Sequence, residues 1–189
     1  MNDFQTKTKG TIGVGAALEM RTGIGLALRL KQHYKVECIR GGKVIWTEEF
    51  DNMVTTAGAA KYLDATLKTG LSTPAWYVGL KGSGTPAISD TMGSHPSWAE
   101  LTPYSNTTRP TWVPGTISGT STVTIDNSAS KAVFNINASA TVYGAFMVDN
   151  STKGGTTGTL LGVGDFAASR AVLDGDTLNV TVTNSLTAS

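Results

Sequence analysis

The sequence predicts a mainly β protein: an antiparallel β-sandwich or jelly roll with one short helix and an extended N-terminal arm. Two observations carry this prediction. Short β-prone runs bounded by turn residues recur throughout the chain after residue 33, and the first 32 residues follow a different, glycine-paired pattern. We therefore divide the 189 residues into an arm, residues 1–32, and a β-sandwich domain, residues 33–189.

The arm contains a short internal repeat, because GVGAALEMR at residues 13–21 recurs as GIGLALRLK at residues 23–31. A dinucleotide-binding loop would need a third glycine where Leu18 and Leu28 stand, so the repeat does not predict a phosphate site. Paired glycines allow another backbone to approach closely. The arm either lies flat on another surface or forms a two-stranded ribbon on its own domain, and the sequence leaves both open.

The domain opens with a hairpin, followed by the only substantial helix that the sequence predicts. Residues 34–40 and 43–50 are strand runs joined at Gly41-Gly42, which is a tight-turn signature. A helix near residues 57–69 would be capped by Thr55 or Thr56 and closed by Gly70. Its apolar face would comprise Ala59, Ala60, Leu63 and Leu67.

The rest of the domain is predicted as strands around one long loop. Residues 74–80 form a buried strand, and residues 81–97, rich in Gly, Ser and Pro, form a loop of a length that often carries function. Further strands are predicted at residues 98–104, 111–117, 121–126, 131–136, 140–148, 159–163, 171–173 and 177–184.

Charge is scarce, and it is scarcest in the later strands. Only 15% of residues are charged and the net charge is +1, against about 25% charged residues in ordinary domains. Between Arg109 and Asp149 only Asp126 and Lys131 carry charge. We expect no nucleic-acid partner, since no basic face is predicted, and we expect a closed homo-oligomer, a dimer or trimer, to cover the charge-poor strands.

The residue types needed for catalysis or metal binding are sparse. His33 and His95 are the only histidines; His95 stands among serines and carboxylates, but a hydrogen-bonded loop is the better interpretation than a hydrolase site. Zinc would need more ligands. Residues 174–176, Asp-Gly-Asp, could offer oxygens to calcium, yet Asp-Gly is also hairpin chemistry. We predict a non-enzyme without metal or cofactor, and a core role for the lone Cys38.

Two further expectations concern membranes and aromatic residues. Glu19 and Arg21 interrupt the early apolar run, so neither a secretory signal nor a membrane-spanning helix is predicted. Core or interface packing is a better interpretation than a sugar-stacking platform for Trp46, Trp76, Trp98 and Trp112, because they sit in or beside apolar strand runs.

Several motifs together resemble small virion structural proteins of tailed bacteriophages. They are GKVIWTEEFDNMVTTAG at residues 42–58, WYVGL at 76–80, Asp90-Thr91-Met92 with His95, Trp98 and Glu100, YGAF at 143–146, and KGGTTGTL at 153–160. The hairpin followed by Phe-Asp-Asn-x-Val-Thr-x-x-Gly and a short helix is a moderately specific pattern.

The resemblance implies a virion component and does not fix its place in the particle. The glycine-paired arm and the charge-poor strands suit a capsid decoration, or cement, protein. Such a protein would bridge subunits of the major capsid protein on the virion exterior after synthesis in the host bacterial cytoplasm. The long loop equally suits a tail or fibre module that binds a host-surface glycan, and this alternative stays open. On the decoration interpretation, the expected capsid contacts are the apolar arm residues Ile12, Val14, Leu18, Ile24, Leu26 and Leu28.

Overall fold

The computed structural model of the chain describes residues 20–21, 27–68 and 74–188. These residues form one helix, α1 (Thr56–Leu63), continued by a π-helical turn (Asp64–Lys68), and a sheet of eleven strands. The strands are β1 (Met20–Arg21), β2 (Ala27–Arg40), β3 (Lys43–Val54), β4 (Trp76–Lys81), β5 (Glu100–Leu101), β6 (Thr111–Trp112), β7 (Thr122–Asp126), β8 (Ala132–Asn135), β9 (Ala140–Val148), β10 (Leu160–Val172) and β11 (Thr177–Ala188).

The strands pair antiparallel in the order β5-β4-β9-β10-β3-β2-β11-β7. Three short strands lie off this path, where β1 pairs with β2, β6 with β4 and β8 with β11. The sheet curls into a half-barrel. One core cluster joins Val36 of β2 and Val180 of β11 to Val78 of β4 and Met147 of β9, so both ends of the strand order contribute to the same core. The predicted class, mainly β and antiparallel with one short helix, is confirmed.

The predicted hairpin is present, and its first strand is longer than predicted. Gly41 and Gly42 have φ values of 55° and 78°, as a tight turn with two left-handed residues requires. β2 begins at Ala27 rather than residue 34, so it crosses the boundary drawn between arm and domain. Its partner β11 runs alongside it from residue 28 to residue 39, and this pairing holds the first part of β2 against the sheet.

The helix begins as predicted, but the face assigned to its buried side is wrong. Thr55 is the N-cap, and its hydroxyl oxygen accepts a hydrogen bond from the Gly58 N–H. The buried residue is Gly58, where an added Cβ would stand 2.1 Å from the Leu161 carbonyl oxygen. Because the helix backbone lies directly on β10 at Gly58, a larger residue could not face the sheet at that position. Leu63 and Leu67, which belong to the predicted face, are 37% and 77% exposed.

Four predicted strands differ most in extent. Residues 159–163 and 171–173 belong to the single strand β10, which is irregular between Asp165 and Arg170. The strands predicted at 98–104 and 111–117 shorten to β5 and β6. Pro103 and Pro114 lie in the missing parts, and proline has no N–H to donate to a strand partner.

Candidate functional site

An open, mostly apolar groove of about 720 Å³ lies between α1, the start of β2, the second half of β11 and the segment that follows β6. Its floor is formed by Met147 of β9, Leu161 of β10 and Trp112 of β6. The Trp112 indole N–H donates to the Val182 carbonyl oxygen at 3.0 Å. The polar atom of the largest floor residue is therefore satisfied inside the protein, and the surface left to the groove is apolar.

One wall of the groove is the inner face of the sheet. Alternate residues of β2 face the core, and Tyr34, Val36 and Cys38 are fully buried. The same face continues through Leu30, which lines the groove, to Leu28, which is 40% exposed. Strand alternation places Leu30 and Leu28 on the same face as the buried core residues of β2. The buried fraction of the side chains nevertheless decreases toward the start of β2.

The opposite wall and the rim come from the helix and a proline-containing loop. Tyr62, Ala65 and Thr66 line the groove on the helix side. On the loop side lie Val113 and Ile117, which are 44% and 66% exposed. Apolar residues around an open apolar depression mark a contact surface more often than isolated exposed residues do.

A small polar network closes the inner end of the groove. The Gln32 amide donates to Asn184 Oδ1 at 2.6 Å and accepts from Asn52 Nδ2 at 3.0 Å. Asn184 itself lines the groove. Asn184 therefore brings an amide group to a mostly apolar lining.

The charged side chains of the described residues mostly pair with one another. The ion pairs include Arg40–Asp176, Lys81–Asp165, Arg109–Glu100, Lys131–Glu37, Arg170–Glu48, Lys31–Asp51 and Lys61–Asp149. Because so many charges neutralise each other within the chain, they create little long-range field to steer a charged partner.

The most deeply buried pair clamps two loops together. Arg109 donates two hydrogen bonds to the Glu100 carboxylate, at 3.0 and 2.8 Å, and it also donates to the carbonyl oxygens of Asn150 and Gly155 at 2.9 and 2.8 Å. Its guanidinium carbon lies 5.4 Å from the centre of the Phe146 ring. Four hydrogen bonds and a ring face satisfy this cation internally, so its role is structural.

His95 and Asp90 both bond to Trp98. His95 Nδ1 lies 2.8 Å from the Trp98 carbonyl oxygen, and the two rings stack with centroids 4.1 Å apart. The Asp90 carboxylate accepts from the Trp98 indole N–H at 2.8 Å and the Ala87 N–H at 2.9 Å. These contacts link residues within the loop and so stabilise it. They do not form the hydrogen-bonded chain of nucleophile, base and carboxylate that a hydrolase triad requires.

The residues considered for calcium and for thiol chemistry also have structural partners. Asp176 accepts from Arg40, at 2.7 Å to each carboxylate oxygen, and this pairing holds the pKa of Asp176 below its usual value. Burial, with the nearby Asp176, raises the pKa of the Cys38 thiol to about 12. Across the described parts of the chain, no three His, Cys, Asp or Glu side chains are grouped to hold a metal ion.

The predicted capsid contacts fall mostly outside the described residues. Leu28 lies in β2 beside the groove; the others, Ile12, Val14, Leu18, Ile24 and Leu26, are not among the described residues. Of the tryptophans, Trp98 and Trp112 are buried, and Trp46 and Trp76 pack partly buried against the core. Sequence reasoning missed the groove, although the alternation that continues from Tyr34 back to Leu28 was a usable signal for its sheet wall.

Comparison with protein-family models and with curated protein sequences finds no match for this chain. None of the helical segments within the described residues is both long and apolar enough to cross a membrane.

Proposed function

We propose that this chain is a non-enzymatic structural protein of a bacteriophage virion, which decorates the capsid exterior and stabilises the shell by bridging major capsid protein subunits. The observation that carries the proposal is the open apolar groove with its exposed rim. A protein that binds by buried apolar area needs such a surface and needs no reactive group.

The use of charge within the fold supports a binding role of this kind. With most ionic groups paired internally, association would depend on apolar area and shape, and it would be less sensitive to salt than charge-steered binding. A decoration protein present in many copies can act through modest individual contacts, because their contributions combine over the particle.

Binding to shells stripped of the protein tests the groove directly. Ile117→Lys should lower shell occupancy by about tenfold or more, since burying an unpaired cation opposes docking. Val44→Lys is the matched control, because Val44 is also exposed, at 56%, and lies at the Gly41-Gly42 end of the β2–β3 hairpin. Equal occupancy for both variants and the unchanged protein would reject the groove as the docking surface.

Electron microscopy of the parent particle tests the location. Hundreds of copies over the shell are expected for a decoration protein. A few copies confined to the tail would reject shell decoration and would favour the glycan-binding tail module.

A further inference from the structure

We propose that the groove binds a proline-rich segment of a partner protein, held in the extended polyproline II conformation. This inference rests on the proposed docking role of the groove, and it names the chemistry of the segment that docks there. All the lining residues that support it lie within the described parts of the chain. Three properties of the lining favour such a segment: an aromatic platform, hydrogen-bond donors without partners, and a rim that is already fixed.

The first property is the aromatic platform. Trp76 of β4 pairs directly with Trp112 of β6, and both residues line the groove. Directly paired residues of antiparallel strands point to the same face of the sheet, so the two indole rings are neighbours. Tyr62 adds a third ring from α1. Proline-rich segments dock in aromatic-lined grooves, because such segments are already extended in solution and lose little entropy on binding.

The second property is a set of hydrogen-bond donors that lack partners. The Trp76 indole N–H and the Tyr62 hydroxyl group form no hydrogen bond within the described residues. Two acceptors of the same lining are already used. Asn184 Oδ1 accepts from the Gln32 amide at 2.6 Å, and the Tyr62 carbonyl oxygen accepts from the Thr66 hydroxyl at 2.8 Å. An occupant that suits this lining therefore offers acceptors and brings few N–H groups.

Proline meets this requirement better than any other residue of an extended segment. It has a carbonyl acceptor and no backbone N–H, and its ring is apolar. Other residues each bring an N–H, and an N–H that is buried in the groove without an acceptor opposes binding. The unpartnered donors of the groove thus favour proline over an ordinary β-strand.

The third property is the fixed rim. The segment after β6 is tied to β7, because the Gly115 N–H donates to the Asp126 carbonyl oxygen at 2.7 Å and the Ser118 N–H donates to the Thr124 carbonyl oxygen at 3.0 Å. Pro114 lies in this segment and has a restricted φ. Since the rim is ordered before a partner arrives, little entropy is lost from the protein on binding.

Titration of the isolated protein with a synthetic peptide of about nine prolines, three turns of polyproline II, tests the proposal. In a proton–nitrogen NMR spectrum, the indole N–H signal of Trp76 should move downfield as it bonds to a peptide carbonyl. The Trp98 indole N–H already donates to Asp90, so its signal should stay unchanged. A peptide of alternating glycine and serine of equal length should move neither signal, because it has no apolar rings and is a flexible coil.

Removal of one donor gives a quantitative test. Trp76→Phe keeps a ring on the platform and removes the N–H, so it should weaken peptide affinity by about three- to tenfold, as expected for one hydrogen bond. Trp46→Phe is the matched control and should leave the affinity unchanged. Trp46 is also a partly buried tryptophan whose indole N–H has no partner, but it does not line the groove. Circular dichroism of both variants shows whether the fold is retained.

Three results would overturn the proposal. They are a Trp76 signal that stays unchanged in excess proline peptide, equal binding of the glycine–serine peptide, and equal peptide affinity of Trp76→Phe and the unchanged protein. The shell-binding experiment distinguishes this failure from failure of the docking function. If Ile117→Lys lowers shell occupancy while the proline peptide does not bind, only the proline-rich segment is rejected; if the peptide binds while Ile117→Lys leaves occupancy unchanged, only shell docking through the groove is rejected.

Discussion

Two neighbouring residues of β9 face two different kinds of interior. Phe146 packs with Trp98 and under Arg109, where buried polar groups have several partners each. Met147, the next residue, forms part of the floor of the apolar groove. The Phe146 side is closed by hydrogen bonds among the described residues, whereas the Met147 side borders apolar surface that the described residues leave exposed. The surface of this fold that is suited to binding a partner is therefore the one where apolar area is exposed and polar groups are few.

The largest loss of stability is expected when the buried ion pair between Arg109 and Glu100 is broken. Arg109→Met leaves the Glu100 carboxylate buried without its cation, and breaking a buried pair in this way costs about 3 to 5 kcal/mol of unfolding free energy. Urea unfolding measures the change. Lys35→Met is the control, since Lys35 is 43% exposed in its ion pairs, and it should change stability by less than about 1 kcal/mol. Equal losses in the two variants would contradict a special role for the buried clamp.

A smaller loss of stability is expected at Asp176, which is buried but pairs with the more exposed Arg40. Asp176→Asn removes an acceptor for Arg40 and the Leu173 N–H, so unfolding free energy should fall by about 2 kcal/mol at neutral pH. The pKa of Asp176 is lowered by Arg40 in the folded protein. Its contribution is thus present above the pKa of the unfolded chain and is lost as pH falls through the lower, folded value.

The pH dependence of stability tests whether the pKa of Asp176 is lowered in the folded protein. Thermal unfolding between pH 7 and pH 2 should show the unchanged protein losing more stability than Asp176→Asn below about pH 4. Parallel profiles for the two proteins would show that the Arg40 pair does not lower this pKa in solution.

The smallest effect is expected at the exposed turn after the helix. Leu67→Lys should change unfolding free energy by no more than about 0.5 kcal/mol, because the side chain is exposed and surface substitutions are usually mild. A chemical denaturation curve decides this. A loss of more than about 2 kcal/mol would mean that the helical face predicted from sequence is covered in solution, and the contrast between the two sides of β9 would weaken.

Local signals in the sequence predicted the structure correctly where that structure depends only on neighbouring residues. The Gly41-Gly42 turn and the Thr55 cap were both predictable, because each rests on the conformation or hydrogen bond of a few adjacent residues. The helical face was not predictable in the same way. Gly58 is buried because β10, about a hundred residues later, passes directly beneath it, and periodicity within the helix contains no information about that approach.

The buried Arg109 clamp and the groove depend even more on residues that are distant in the sequence. Arg109 is satisfied by carbonyl groups of Asn150 and Gly155, and carbonyl groups belong to every residue, so side-chain patterns do not reveal them. The groove combines the start of β2 with the end of α1 and the loop after β6. Its sheet wall follows from strand alternation, but its depth depends on how the sheet curls, which no local pattern specifies.

The pairing of Leu28 with Ala188 places the start of β2 and the end of β11 side by side, while the Gly41-Gly42 turn lies at the other end of the same strands. An added Cβ at either glycine of that turn would meet no atom within 4 Å. A short peptide tag inserted between them would stand about 35 Å along β2 from Leu30, at the kind of exposed loop tip that tolerates insertion. The hairpin tip is therefore the better attachment point for a reporter, since a tag joined after β11 would sit next to the groove and obstruct it.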